Sequence, residues 1–165
     1  MKTPVFFNAP WGKPLKWVTV FSVIICVGIS LWGIFATPPP VSATRFFAIA
    51  VPLLVPIGGT FFMIRGYTLA DRTLLIQRLG WNSRVDLEGL TSAVSDPAAM
   101  KGSLRTFGNG GLFSICGWFY SRKLGAYRAF ATDMNHSVVL RFPKRTVVVT
   151  PENPDEFARA VTDFR

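Results

Sequence analysis

The chain passes from strand to helix within one short stretch, Val147-Val-Val-Thr-Pro-Glu-Asn-Pro-Asp-Glu-Phe157. Consecutive β-branched residues favour a strand, and the Asn-Pro pair is typical of the N-cap and first position of a helix. Beyond it, Phe157, Val161 and Phe164 follow at i, i+4 and i+7, which gives a helix a single apolar stripe. The stretch therefore predicts a C-terminal helix, residues 154–165, that packs on a β-sheet.

The residues before this stretch form several short segments in which apolar and polar side chains alternate. This period-two pattern, interrupted by turn residues, is typical of strands with one buried face. The clearest segments are residues 73–79, 84–87, 127–132, 137–142 and 146–150. They predict an antiparallel β-barrel or sandwich of about seven strands, closed by the C-terminal helix.

This arrangement resembles the pleckstrin-homology (PH) fold, and two further segments extend the resemblance to residue level. They are Leu74-Leu-Ile-Gln-Arg-Leu-Gly-Trp81 and Arg105-Thr-Phe-Gly-Asn-Gly-Gly-Leu112. With the stretch that ends at Phe157, they make the chain similar to the bacterial PH-like domain family in its membrane-anchored form, over residues 66–165. The resemblance implies a fold and a topology. It implies no catalytic residues, because the family has no common catalytic set.

Two uncharged runs in the N-terminal part, residues 1–64, have the length of membrane spans. Residues 17–36 and 46–64 lack charged side chains, and about twenty helical residues cross a hydrocarbon core of about 30 Å. Three consecutive prolines separate the runs and force a turn. The pattern predicts a transmembrane hairpin of two helices. A cleaved signal peptide is disfavoured because the first run is too long and Ile34 stands where cleavage needs a small residue.

The second run contains residues that are unusual in a soluble helix. Pro52 and Pro56 break such a helix but are tolerated in membranes, where neighbouring groups satisfy the freed carbonyls. Gly58 and Gly59 offer a flat surface for close approach of the first helix. We therefore interpret these four residues as transmembrane packing positions.

The charge distribution predicts the orientation of the hairpin. The chain has 18 Lys and Arg against 9 Asp and Glu, and 16% of its residues are charged, where soluble domains have about 25%. Basic residues cluster before the first run and after the second, whereas the connecting loop holds only Arg45. The positive-inside rule then predicts a multi-pass protein of the bacterial inner membrane with both termini in the cytoplasm.

No set of residues in the sequence points to catalysis, a metal or a cofactor. Cys26, Cys116 and the single His136 are too few for a zinc site or a disulfide framework. Ser114 and Asp133 lack the sequence context of a catalytic triad, and the Gly-Asn-Gly-Gly segment lacks the lysine of a phosphate-binding loop. We expect no enzymatic activity and no cofactor. Nucleic acid is not an expected partner, because the basic residues are spread over the strands.

An aromatic-rich segment after the glycines has two open interpretations. Its side chains either form core strands or project from a glycine-hinged loop onto the bilayer or a partner protein. A cationic pair follows the aromatic residues, which suits a head-group region, and we favour the interface. The predicted interface residues are Leu112, Phe113, Trp118, Phe119, Arg122 and Lys123.

These observations favour a non-catalytic function. We expect a membrane-tethered PH-like scaffold that contacts the lipid bilayer and holds a protein partner, or further copies of itself, at the inner membrane. The alternative is an accessory subunit of a larger membrane enzyme or transporter, with the two helices docked in the partner's membrane domain.

Overall fold

A computed structural model of the protein describes residues 3–35 and 43–164. The helices are α1 (Lys13–Phe35), α2 (Ala43–Thr60) and α3 (Pro154–Asp163). The strands are β1 (Val5–Asn8), β2 (Ile64–Ala70), β3 (Thr73–Arg78), β4 (Asn82–Asp86), β5 (Ser92–Ser95), β6 (Leu104–Gly110), β7 (Ile115–Ser121), β8 (Gly125–Ala131), β9 (Val138–Arg141) and β10 (Thr146–Val149). The three consecutive prolines lie outside the described residues.

The strands form a sandwich of two sheets. One sheet has the order β1-β2-β3-β4, and the other has the order β5-β9-β10-β8-β7-β6. Strand β4 is an edge of the first sheet and β6 is an edge of the second. No strand pairing joins them, so the described strands do not close into a barrel. The sequence predicts about seven antiparallel strands, whereas the described residues form ten. One pair is not antiparallel: β10 is inserted between β8 and β9 and runs parallel to β8.

Strand β1 belongs to the sandwich although it precedes both long helices. It pairs antiparallel with β2, and Asn8 lies opposite Gly66. The Phe7 ring meets Phe157 of α3 edge-on, with centroids 5.1 Å apart. Since β1 and β2 are partners, α1 and α2 occupy the connection of a β-hairpin. The segment before α1 therefore contributes a strand to the sandwich.

The core confirms the prediction for the C-terminal helix. Phe157, Val161 and Phe164 are all buried, and they pack in a cluster with side chains of both sheets. The cap differs in detail, because the Asn153 side chain donates to Glu156 Oε2 (3.2 Å) and makes no bond to a helix N–H. A second cluster covers the opposite face of the larger sheet and includes Leu15 from the first turn of α1.

Helices α1 and α2 pack antiparallel. Ser30 Oγ donates to the Ile49 carbonyl at 2.9 Å, and Arg45 Nη2 donates to the Ile34 carbonyl at 2.7 Å. In the described part of the chain, α1 is the helix that is long and apolar enough to cross a membrane, while α2 contributes the shorter apolar stretch Arg45–Thr60. The second predicted span, residues 46–64, is cut short because β2 already begins at Ile64.

Candidate functional site at the junction of helices and sandwich

Helix α1 has an inverted distribution of side chains, in which small residues are buried and most large apolar residues are exposed. Apart from Leu15 in its first turn, the buried residues are Thr19, Ser30 and Gly33, whereas large apolar residues point outward, with Trp17 74% and Trp32 72% exposed. A soluble amphipathic helix buries its large apolar side chains instead. Small residues at the helix interface and large ones outside are typical of helices packed within lipid.

The proline and glycine residues of α2 contact different neighbours. Pro52 and Pro56 lie on the less exposed face of α2, together with Ile49. Gly59 faces the loop between β6 and β7, and a Cβ there would lie 2.8 Å from Leu112 Cδ2. Gly58 has open space beside it, with no neighbouring atom within 4 Å. The two glycines therefore do not provide the expected contact with α1.

The loop between β6 and β7 is hydrogen-bonded to α1. Asn109 shapes the loop, because its Oδ1 accepts from Leu112 N at 3.0 Å and its Nδ2 donates to the Leu112 carbonyl at 2.5 Å. Thr19 Oγ1 donates to the Gly111 carbonyl and accepts from Phe113 N, each at 3.1 Å. The Gly-Asn-Gly-Gly segment thus joins the sandwich to α1.

The hairpin of β3 and β4 donates hydrogen bonds to the residues that directly follow α2. Arg78 Nη1 donates to the Phe62 carbonyl and Trp81 Nε1 donates to the Phe61 carbonyl, both at 3.1 Å. Arg78 is only 6% exposed, and its guanidinium lies 4.6 Å from the Trp81 ring. Cationic donors stabilise the free carbonyls at the end of a helix. The sequence does not predict this contact, since a strand followed by a turn shows nothing of the helix end that lies beside it.

The predicted interface residues do not form one surface. Leu112 and Phe113 are half-buried at the junction with the helices, and Trp118 is exposed on β7. Phe119 is only 6% exposed and stacks on Tyr127, which corrects its assignment to an interface because alternation along β7 turns it into the core.

Arg122 and Lys123 lie at the other end of β7 from the helices. They form the turn after Ser121, about 20 Å of strand away from Ile115. Lys123 Nζ pairs with Asp96 Oδ2 at 2.5 Å and lowers the pKa of that carboxyl group. Both side chains are exposed, but the cationic pair is separated from the aromatic residues at the junction.

An apolar strip runs along β6 and β7 beside the junction. The cross-strand pairs Leu104–Tyr120 and Phe107–Trp118 are exposed, Phe107 to 76%. A groove of about 460 Å³ separates the strip from α2, and its walls include Val55, Phe62, Phe107 and Leu112. Strand β6 is also a free sheet edge. The exposed apolar strip therefore lies directly beside an unpaired sheet edge.

The residues weighed for catalysis are not assembled into a triad. His136 Nδ1 lies 3.1 Å from Asp133 Oδ2, but Ser114 is buried and its Oγ bonds to Cys116 Sγ at 3.5 Å. Within residues 3–35 and 43–164, no group of three or more His, Cys, Asp or Glu side chains is placed to hold a metal ion.

Comparison with known proteins bears on the chain from β2 to α3 and not on β1, α1 or α2. A family model described as bacterial PH domain matches residues 65–163, more than half of the chain. No curated protein and no solved structure matches the chain. The matched range covers β2 from its second residue, β3 to β10 and α3, and the segments that carry the sequence resemblance lie within it. The chain therefore belongs to the bacterial PH domain family.

Proposed function

We propose that this protein is a non-catalytic interaction module whose PH domain is held at the bacterial inner membrane by α1 and α2. The observation that carries the proposal is the inverted pattern of α1, which beyond its first turn buries Thr19, Ser30 and Gly33 and exposes most of its large apolar side chains. In water this arrangement is unfavourable because about 25 cal/mol is lost for each Å² of exposed apolar surface. In lipid the same arrangement is stable.

The tether is rigid because both helices are bonded to the domain. Thr19 of α1 bonds to the loop between β6 and β7, while Arg78 and Trp81 bond to the carbonyls that follow α2. A PH domain held in this way keeps a constant orientation relative to the bilayer. It presents the apolar strip and the β6 edge close to the membrane surface.

The surface offered to a protein partner is the β6 edge with its apolar strip. An unpaired edge supplies main-chain donors and acceptors for an added strand, and neighbouring side chains give specificity. Leu104, Phe107, Trp118 and Tyr120 supply the apolar contacts. A second copy of the chain is the other candidate occupant.

A topology measurement tests the tether. Single cysteines replace Ser42, between the helices, and Asn135, exposed beside His136, in a chain without Cys26 and Cys116. On intact cells an impermeant maleimide should label the cysteine at 42 and spare that at 135, and cell lysis should make both reactive. Labelling of the cysteine at 135 in intact cells would contradict the cytoplasmic placement of the domain.

A role as accessory subunit of a membrane complex is favoured by the shortness of α2. Its apolar stretch Arg45–Thr60 covers about 24 Å, less than a hydrocarbon core of about 30 Å. Leu54 and Ile57 are exposed on it and are available to a partner helix. A photo-crosslinking residue at Leu54 should capture one stoichiometric membrane protein. Capture of lipid alone, or of the chain itself, would favour the scaffold.

A further inference from the structure

A small cationic cavity lies on the open side of the sandwich, between β4 of one sheet and β7, β8 and β10 of the other. Its volume is about 140 Å³, and its charged and aromatic wall consists of Arg84, Trp118, Arg128 and Arg145. Thr146 and the buried side chains of Val85 and Val147 complete the lining. Since a water molecule takes about 30 Å³, the cavity has room for a small polyatomic anion.

Two of the three arginines of this cavity, Arg128 and Arg145, are positioned by contacts that are not ion pairs. The Arg128 guanidinium stacks on Phe130 at 4.8 Å, and that of Arg145 stacks on Phe142 at 4.5 Å. Arg145 also donates to the Asp86 carbonyl at 2.7 Å. Across the described residues, the ion pairs join Lys123 to Asp96 and His136 to Asp133, so no carboxylate neutralises the three arginines.

We propose that this cavity binds a phosphoryl group. Three guanidinium groups from three separate elements match a multiply charged anion, whereas a single carboxylate needs only one bidentate arginine. The exposed Trp118 ring at the wall is available to a group attached to the phosphate. The phosphoryl group belongs either to a phospholipid head group or to a soluble phosphate compound. The site does not depend on the proposed tether, since all its residues lie in the sandwich.

Titration of inorganic phosphate tests the cavity directly. The full chain in a mild neutral detergent is titrated by calorimetry at constant ionic strength. Arg128→Gln should weaken phosphate binding at least about tenfold, equivalent to ~1.4 kcal/mol. The matched control is Arg122→Gln, which removes the same charge from the exposed turn after β7 and should change affinity by less than about twofold.

Three results would overturn the proposal. One is the absence of phosphate binding to the wild-type chain, and another is an equal loss of affinity in both variants, which indicates only diffuse attraction. Acetate that competes as well as phosphate would assign the cavity to carboxylates. If Arg128→Gln does not fold, Arg84→Gln at the edge strand β4 replaces it.

The source of the phosphoryl group is separated by repeating the titration in lipid. Nanodiscs of phosphatidylcholine are compared with nanodiscs that also contain phosphatidylglycerol. Weaker binding of phosphate in the second set, with no such change in Arg128→Gln, would identify a lipid head group as the ligand. Equal phosphate affinity in both sets would identify a soluble phosphate compound.

Discussion

At the scale of single residues, Arg78 connects α2 to the sandwich by side-chain bonds. Its guanidinium is buried and donates to the Phe62 carbonyl and to Ser83 Oγ. Replacement by methionine keeps the apolar stem but leaves the Phe62 carbonyl without its donor. We expect Arg78→Met to lower the free energy of unfolding by about 2–3 kcal/mol.

The measurement for Arg78 is chemical unfolding of the full chain in mild detergent, followed by near-ultraviolet circular dichroism. Arg65→Met is the matched control, because Arg65 is exposed on β2 of the same sheet and its loss should leave the midpoint nearly unchanged. Equal midpoints for the two variants would show that the capping contact contributes nothing to stability.

Tyr67 makes the stability of the sandwich depend on pH in the alkaline range. Its hydroxyl donates to the Phe130 carbonyl at 2.6 Å, and burial raises its pKa from 10.0 to about 12. The folded chain therefore holds this proton more tightly than the unfolded chain. The contribution is complete below pH 10 and is lost as pH rises from 10 to about 12, by at most ~1.4 kcal/mol per pH unit.

Removal of the Tyr67 hydroxyl should abolish that dependence. Tyr67→Phe is expected to lose about 1–3 kcal/mol at pH 7, because the Phe130 carbonyl and Thr150 N each lose a partner. Between pH 10 and 12 the difference from wild type should shrink, as measured by urea unfolding at each pH. A constant difference over that range would contradict the assignment of the raised pKa to Tyr67.

Burial at single positions was predictable where alternation holds and was missed where apolar residues run together. Phe119 and Trp118 are neighbours on β7, yet one is buried and the other is exposed. Strict period-two counting separates them, but the unbroken apolar run from Cys116 to Tyr120 suggested a shared surface. Arg78 was missed because nothing in a strand pattern reveals which helix end lies nearby.

At the scale of elements, the small face of α1 should be intolerant of larger side chains. A Cβ at Gly33 would lie 3.2 Å from Ile49 Cγ1 of α2, whereas Gly28 has no neighbouring atom within 4 Å. Gly33→Leu is therefore expected to cost about 1–3 kcal/mol through overpacking. Gly28→Leu is the matched control and should be neutral or slightly stabilising, because leucine favours a helix over glycine.

Thermal unfolding in mild detergent measures the stability of both glycine variants. Amide hydrogen exchange along α2 shows where the structure is affected. The Gly33 variant should lose protection along α2, while the Gly28 variant should keep it. If both variants unfold at the wild-type temperature, the contact between α1 and α2 is not a determinant of the structure.

Elements with strong local patterns were predictable, and those defined by distant partners were not. Helix α3 was recognised from its apolar stripe. Strand β1 has only four residues, and its partner β2 follows the two long helices. Strand β6 contains two glycines and a register shift between Arg105 and Phe107, so its pattern resembles a loop. Pairing over such separations is not encoded in local periodicity.

At the scale of the whole molecule, the helices are an insertion into the PH domain and not an appendage to it. Phe7 from β1, before the insertion, and Leu15 from the first turn of α1 both contribute to the core of the sandwich. The family match begins at residue 65 and therefore omits two parts of the folded unit. An isolated fragment that starts there lacks β1, one of the two strands that pair with β2.

Two shortened chains test this arrangement. In the first, residues 1–16 are joined to 61–165 by about twelve Gly and Ser residues, a flexible linker of about 19 Å, which replaces most of α1 and all of α2. The second contains residues 64–165 alone.

The joined chain should unfold cooperatively without detergent, because it keeps β1 and Leu15 and loses the exposed apolar surface of the helices. The fragment should not fold cooperatively at 25 °C, since the loss of a single buried Phe or Leu side chain typically costs about 2–5 kcal/mol, a large share of the stability of a small domain. Near-ultraviolet circular dichroism and thermal unfolding distinguish the two outcomes. A fragment as stable as the joined chain would show that β1 is peripheral and that the helices are attached to a complete domain.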